Sequence, residues 1–309
     1  MSPVNLFKAL SDETRLRLLN LSLHHELNVN EIVRILDMGQ SRISHHLKIL
    51  TESGLITHRR DGLWTFYSAV SEGRGADFIQ SVRYLFDLNG IYRKDLETAE
   101  IMIAERSKRT TRFFDTVADS WERLKKEIIG DLDMNRMILD SLPEVEIMVD
   151  LGCGTGDLLP VLKRKADRVI GVEKSVRMLQ EARKKYGTDP GRIDIRIGEL
   201  EHLPLRDGEA DAAVTNMVLH HLPEPRKALL EANRILKTGG LFLIVDLMQH
   251  EDESLREGFG DHWLGFSPDL IEKWLEESGF GLEESGRFAL NKGLEGFILR
   301  SVKNYHEGD

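Results

Sequence analysis

The stretch Glu146–Leu162, EIMVDLGCGTGDLLPVL, opens as a short apolar run, passes through three glycines in five residues and ends on leucines at helical spacing. That order predicts a buried strand, a glycine-rich turn and a helix. Such a turn lets backbone amides and a helix N-terminus approach an anionic group closely. The alternation continues downstream. RVIGVEKS predicts a second strand ending at Glu173 and Lys174, with Glu173 placed 23 residues after Asp150, where a carboxylate accepts both hydroxyls of a ribose. IDIRIGELEHLPL predicts a third, with Glu199 and Leu200 at its end. ADAAVTNMVLHHLPEP predicts a fourth, with Asn216 and Met217 just past it, and then come the helix PRKALLEANRIL, the turn KTGG and the strand LFLIVDLM. Strands alternating with helices predict a parallel sheet whose ligand lies at the carboxyl ends.

The order of these pieces closely resembles class I S-adenosylmethionine-dependent methyltransferases over about residues 110–305. A nicotinamide dehydrogenase carries GxGxxG where this turn has GCGTG. The resemblance implies that Asp150 and the turn at Gly152, Cys153, Gly154 and Gly156 hold the methionyl end of S-adenosyl-L-methionine or S-adenosyl-L-homocysteine. It implies Glu173 on the ribose, Glu199 with Leu200 at the adenine edge, although the family more often has Asp at that position, and Asn216 with Met217 beside the sulfur. Small residues such as Cys153 are tolerated between those glycines, so no catalytic role is expected of it. His220 and His221 invite a metal, but LHHLPEP is a common way for this fold to close its fourth strand, and both are assigned to structure. TNMV is not the motif of amino-group DNA methyltransferases, and the several cysteines of arsenite methyltransferases are missing. The remainder resembles small-molecule methyltransferases, with DHWLGFS on the acceptor side.

Toward the N-terminus, residues 72–142 hold few β signals and long helical runs, including RKDLETAEIMIAERSKRTTRFF and DSWERLKKEII. They predict a helical connector, in which Phe113, Phe114 and Trp121 either join a core or cap a ligand pocket. Earlier still, NLFKALSDETRLRLLNLSL predicts two short helices with Ser11 as a cap, and NVNEIVRILDMG a third ending on Gly39. Gln40–Glu52 opens a further helix. Ile43, Leu47 and Leu50 share one face of it, which turns Ser41, Arg42, Ser44, His45 and Lys48 outward. LITHRR and LWTFYSAV predict a hairpin turning at Asp61 and Gly62, with Arg59 and Arg60 at its tip.

A glycine turn between two helices followed by a hairpin is a winged helix-turn-helix, whose second helix enters the major groove while the wing reaches the flanking backbone. Gln40, Ser41, Arg42, Ser44, His45, Lys48, Arg59 and Arg60 are the expected contacts with double-stranded operator DNA; a protein-binding winged helix is the alternative. His46 lies nearer the packed face. Adjacent residues on a helix diverge by about 100°, so His45 and His46 cannot share an ion. LSDETRLRLLNLSL, QSRISHHLKILTESGLITHRRDG and the hairpin resemble the ArsR family of dimeric bacterial repressors over about residues 1–90. Many members sense arsenite or metals through a Cys-x-Cys pair, and the matching positions here are Asn28 and Asn30, which supply no thiolate. The resemblance places a homodimer seam on Phe78, Val82, Leu85 and Phe86.

The totals agree with a division of labour. The chain has 309 residues, 41% of them hydrophobic, and a net charge of −10, yet residues 1–70 hold 8 Lys+Arg against 7 Asp+Glu. An acidic total repels nucleic acid at long range, so DNA contact needs a local patch in this near-neutral front segment. Cys153 is the only cysteine, which excludes an intramolecular disulfide and suits a reducing, cytoplasmic setting. Met1–Leu23 carries Asp12, Glu13, Arg15 and Arg17, unlike a signal peptide, and LFLIVDLM falls far short of a membrane span.

The expected fold is α/β: a winged helix-turn-helix domain at 1–90, a helical connector and pocket cap at 91–142, and a Rossmann-like class I methyltransferase domain at 143–309. The fusion resembles bacterial regulators that have an ArsR-type head and a methyltransferase-like body and respond to S-adenosylhomocysteine. It implies a dimeric repressor released from DNA by that nucleoside ligand. Met217, Trp121 and Phe114 are the apolar candidates for rejecting the extra methyl of S-adenosylmethionine. An active small-molecule methyltransferase with a regulatory head is the alternative, because methyl transfer depends mainly on proximity and leaves no obligatory acid–base residue to look for.

Overall fold

The computed structural model describes residues 3–88, 90–187 and 191–305. The chain divides into two compact units, Met1–Arg106 and Ser107–Asp309. The first contains α1 (Pro3–Leu10), α2 (Glu13–His24), β1 (Leu27–Asn28), α3 (Val29–Leu36), α4 (Gln40–Glu52), β2 (Ile56–Asp61), β3 (Trp64–Ala69), α5 (Gly73–Val82) and the beginning of α6 (Gly90–Val117). Its three strands form an antiparallel sheet in the order β1-β3-β2. Leu18, Leu19, Ile32, Ile43, Leu47, Leu50 and Leu55 pack in one core. Ile43, Leu47 and Leu50 are the stripe that helical spacing predicts on α4.

Local chemistry sets the joints, and three of them shift from the sequence expectation. Asp12, not Ser11, caps α2, its Oδ1 accepting from the Arg15 N–H at 3.1 Å. Between α3 and α4 the left-handed residue is Asp37, at φ 52°, while Gly39 sits extended at φ −64° and leads into α4. An aspartate tolerates that conformation because its short polar side chain bonds locally. The hairpin turns at Gly62 and Leu63, because Asp61 pairs with Trp64 inside the ladder. Asp61 is buried there and held by Arg59, which draws it out of the turn.

The second unit holds the end of α6, α7 (Trp121–Ile129), α8 (Met134–Asp140), β4 (Val145–Leu151), α9 (Leu159–Leu162), β5 (Ala166–Glu173), α10 (Val176–Tyr186), β6 (Ile193–Ile197) and β7 (Ala210–Asn216). It continues through α11 (Pro225–Ile235), β8 (Leu236–Leu247), α12 (Ser254–Gly258), α13 (Pro268–Glu277), β9 (Phe280–Ala289) and β10 (Glu295–Lys303). The sheet order is β6-β5-β4-β7-β8-β10-β9, and β10 alone runs against its neighbours. Val149, Ile170, Ala213, Phe242 and Ile244 face one apolar layer with α11 and α13. Met148, Val169, Ala212, Val214, Leu243 and Val245 face another with α8, α9 and α10. Strands buried on both faces account for their unbroken apolar runs. The strand order reverses between β4 and β7, which opens a crevice at their carboxyl ends. No helix among the described residues is long and apolar enough to cross a membrane.

Candidate functional site

At that crevice lies a cleft. Asp150 lines it from the end of β4, Gly152, Cys153 and Gly154 from the turn that follows, Glu173 and Lys174 from the end of β5, Leu200 from the segment after β6, and Asn216 and Met217 from the end of β7. Thr110, Thr111 and Phe114 of α6 and Trp121 of α7 complete the wall. Gly156 and Glu199 are not among the lining residues. At Gly156, φ 83°, an added Cβ would lie 2.9 Å from Tyr186 and 3.1 Å from Ala182, so this glycine serves packing of the turn on α10. Glu199 instead meets Lys174 Nζ at 2.9 Å, and the same ammonium donates to Ser107 Oγ at 2.6 Å. The neighbouring Glu201 lines the cleft in its place, with its carboxyl raised by burial.

The cleft floor contains polar groups that the protein leaves unanswered. Asp150 Oδ2 and Asn216 Oδ1 are buried with no hydrogen-bond partner among the described residues. Burial, and then the nearby charges of Glu173 and Asp157, push the Asp150 carboxyl up to about 7. Glu173 Oε2 accepts from the Gly154 N–H at 3.0 Å and Oε1 from the Ser175 N–H at 2.7 Å. Burial raises this carboxyl, and those two amides oppose the rise. Burial also raises the Cys153 thiol. At Gly154, φ 53°, an added Cβ would meet nothing nearer than Trp121 Nε1 at 3.9 Å, so the backbone lies open to the cleft. Met217 also takes a left-handed φ, 58°, a strained conformation for a side chain of its size. Orphaned acceptors beside an open backbone fit a ligand that brings its own donors, as an α-ammonium and ribose hydroxyls do.

Beyond Met217 the chain makes a short helical turn, Leu219–His221. His221 lines the cleft with its ring edge-on to Phe114, centroids 4.8 Å apart, and Phe114 packs against Trp121 at 5.2 Å. His220 Nδ1 meets Asp246 Oδ1 at 2.5 Å. Asp261, from the DHWLGFS segment, lies beside both imidazoles. Burial lowers His221, while Asp246 and Asp261 push His220 up to about 9 against the effect of burial, and burial pushes Asp261 up to about 7. His220, His221 and Asp261 also line a smaller chamber, which shares Trp121, Lys125, Met217 and His221 with the cleft. Trp263 of the same segment belongs to the core instead.

In the first unit, α4 exposes Gln40, Ser41, Arg42, Ser44, His45 and Lys48 and buries Ile43, His46, Leu47 and Leu50. Arg60 is exposed on the hairpin. Arg59 is not at the tip: its guanidinium grips Glu26 through Nε at 2.9 Å and Nη2 at 3.0 Å, reaches Asp61 at 3.3 Å and lies over the Phe66 ring. Those partners hold it within the wing's own structure. Asn28 and Glu31 form a reciprocal cap on α3, Asn28 Oδ1 accepting from the Glu31 N–H at 3.1 Å and Glu31 Oε2 from the Asn28 N–H at 2.9 Å. The position where metal-sensing relatives carry a thiolate thus caps a helix here.

Residues 12–58 match the bacterial regulatory protein, arsR family, and residues 149–244 match the methyltransferase domain family. Over 105 residues the chain is 40% identical to an uncharacterized 37.1 kDa protein in transposon TN4556 of Streptomyces fradiae, a match spanning 33% of this chain and 30% of that one. Over 153 residues it is 28% identical to the demethylmenaquinone methyltransferase of Thermotoga maritima, covering 48% of this chain and 65% of the relative. The chain spans less than two thirds of the length of either curated relative. A solved SAM-dependent methyltransferase from Thermotoga maritima is similar at 26% identity and TM-score 0.50, across 62% of this chain and 99% of that one. The chain therefore joins an arsR-family helix-turn-helix segment at its front to a class I methyltransferase domain behind it.

Proposed function

We propose that the protein is a homodimeric, cytoplasmic transcriptional repressor whose methyltransferase-like domain binds S-adenosylhomocysteine or S-adenosylmethionine and thereby controls operator binding. In this reading residues 1–90 bind DNA, 91–142 bridge and cap the pocket, and 143–309 hold the nucleoside. One observation carries it: α6 supplies Tyr92 and Ala99 to the core of the DNA-binding unit and Thr110, Thr111 and Phe114 to the cleft wall. A ligand that orders the end of α6 acts on an element from which the DNA reader is also built. Such control requires only that the ligand bind one conformation better than the other. Gln40, Ser41, Arg42, Ser44, His45, Lys48 and Arg60 serve as the DNA surface.

The orphaned Asp150 and Asn216 oxygens and the open Gly154 backbone support nucleoside binding. Calorimetry with each nucleoside, followed by an operator mobility shift with each at saturation, tests the reading. Tight binding of the demethylated nucleoside with loss of the shifted band is expected; a band unchanged by saturating amounts of either overturns it. The similarity to a demethylmenaquinone methyltransferase favours a second reading, a working methyltransferase with a regulatory head. Product formation from S-adenosylmethionine and small acceptors separates the two.

A further inference from the structure

Three buried groups beside the cleft are arranged in a way that helix closure does not require. His221 Nδ1 lies 3.3 Å and His220 Nε2 3.7 Å from the same oxygen, Asp261 Oδ1. Those separations are long for N–H···O hydrogen bonds. His221 Nδ1 also faces the Gly260 carbonyl at 3.4 Å, itself a long contact that an ion would displace. Asp261 Oδ1 has no hydrogen-bond partner among the described residues, and Asp261 is only 5% exposed. A buried carboxylate oxygen left so is costly unless something else meets it. A four-coordinate ion with ligand bonds of about 2.0–2.2 Å sets neighbouring donor atoms about 3.3–3.5 Å apart. The three donors all lie within 4.8 Å of one another, so uptake of an ion draws the two imidazoles together.

The surroundings also suit a cation. His220 uses its other nitrogen on Asp246, whose Oδ2 accepts from the Leu219 N–H at 2.9 Å. A carboxylate that orients an imidazole and leaves its far nitrogen free is the usual support of a metal-bound histidine. Adjacent histidines on a regular helix diverge, but in the tight turn Leu219–His221 the two rings lie 3.9 Å apart, and the fold adds Asp261 from forty residues on. The cluster borders the smaller chamber, whose other walls include Ile128, Ile129, Leu255 and Phe259.

We propose that His220 Nε2, His221 Nδ1 and Asp261 Oδ1 bind one divalent transition ion of the zinc class, with a remaining coordination position open to this chamber for an oxygen or nitrogen donor of a small ligand. The ion replaces the protons that otherwise hold three such groups together. The inference stands apart from the regulatory reading, since an ion is held whether or not DNA responds.

The test is titration of the chelator-treated full chain with Co²⁺, followed by competition with Zn²⁺. One equivalent of Co²⁺ should give the strong visible absorption of a four- or five-coordinate ion, and Zn²⁺ should erase it. Asp261→Asn and His220→Gln should each weaken uptake by more than about 100-fold, and Asp246→Asn, which keeps all three donors, by about 10- to 100-fold. Circular dichroism on every variant verifies folding. Absence of a one-equivalent spectrum from the wild-type chain overturns the proposal, as does equal uptake by folded Asp261→Asn, which would place the ion on other histidines.

Discussion

Asp150 keeps one carboxylate oxygen unanswered in the cleft floor, so in the proposed reading its proton and the ligand's positive charge compete for the same place. With its carboxyl pushed up to about 7, the empty unit favours the protonated form, and this stabilisation is complete at low pH and lost as pH rises through about 7. A bound ammonium favours the ionised form. Nucleoside affinity should therefore strengthen between about pH 6 and 8 with release of a proton, measured by calorimetry in buffers of different ionisation enthalpy; a flat profile over that span excludes the contact. Glu173→Gln should weaken the nucleoside roughly 10- to 100-fold, the loss of one or two charge-assisted hydrogen bonds, while operator binding by the empty protein persists. Both acids were legible in the sequence because the strand–turn–helix pattern places a residue at each strand end. Glu201 was not, since the choice between it and Glu199 depends on Lys174, which is itself held by Ser107 from far along the chain.

Among the elements, α4 and the hairpin divide their arginines between two tasks. Arg42 is exposed on α4, so Arg42→Ala should weaken operator binding and lower the salt dependence of affinity by about one unit of slope. Arg59→Ala should lower stability by about 1–3 kcal/mol in thermal unfolding, since Glu26 and Asp61 lose their charged partner, and leave the salt slope unchanged. Helical and strand periods identified both elements. They did not identify which arginine folds back, because a cross-contact to Glu26 leaves no trace in spacing along the hairpin. The turns were legible only to within one or two residues: glycine marks where a left-handed residue is cheap, whereas the residue that takes that conformation here is Asp37, a type that tolerates it.

At the scale of the molecule, Phe7, Tyr84 and Leu85 are exposed apolar groups on the front unit, and a second copy of the chain is the cover the proposed reading supplies. Leu85→Glu should shift sedimentation toward a single chain and weaken operator binding together. Phe86, assigned to the same seam from sequence, is buried against Tyr92 and belongs to the core. That a helix-turn-helix part precedes an α/β part was legible from motif order, whereas the division between Arg106 and Ser107 and the joining of Asp261 to two distant histidines depend on the folded chain. One last property follows from Cys153, the sole thiol, which is buried in the cleft floor with its acidity suppressed. An alkylating reagent then has a single target that it reaches only when the floor opens, so its rate becomes a native clock for local breathing, slowed by whatever occupies the space above.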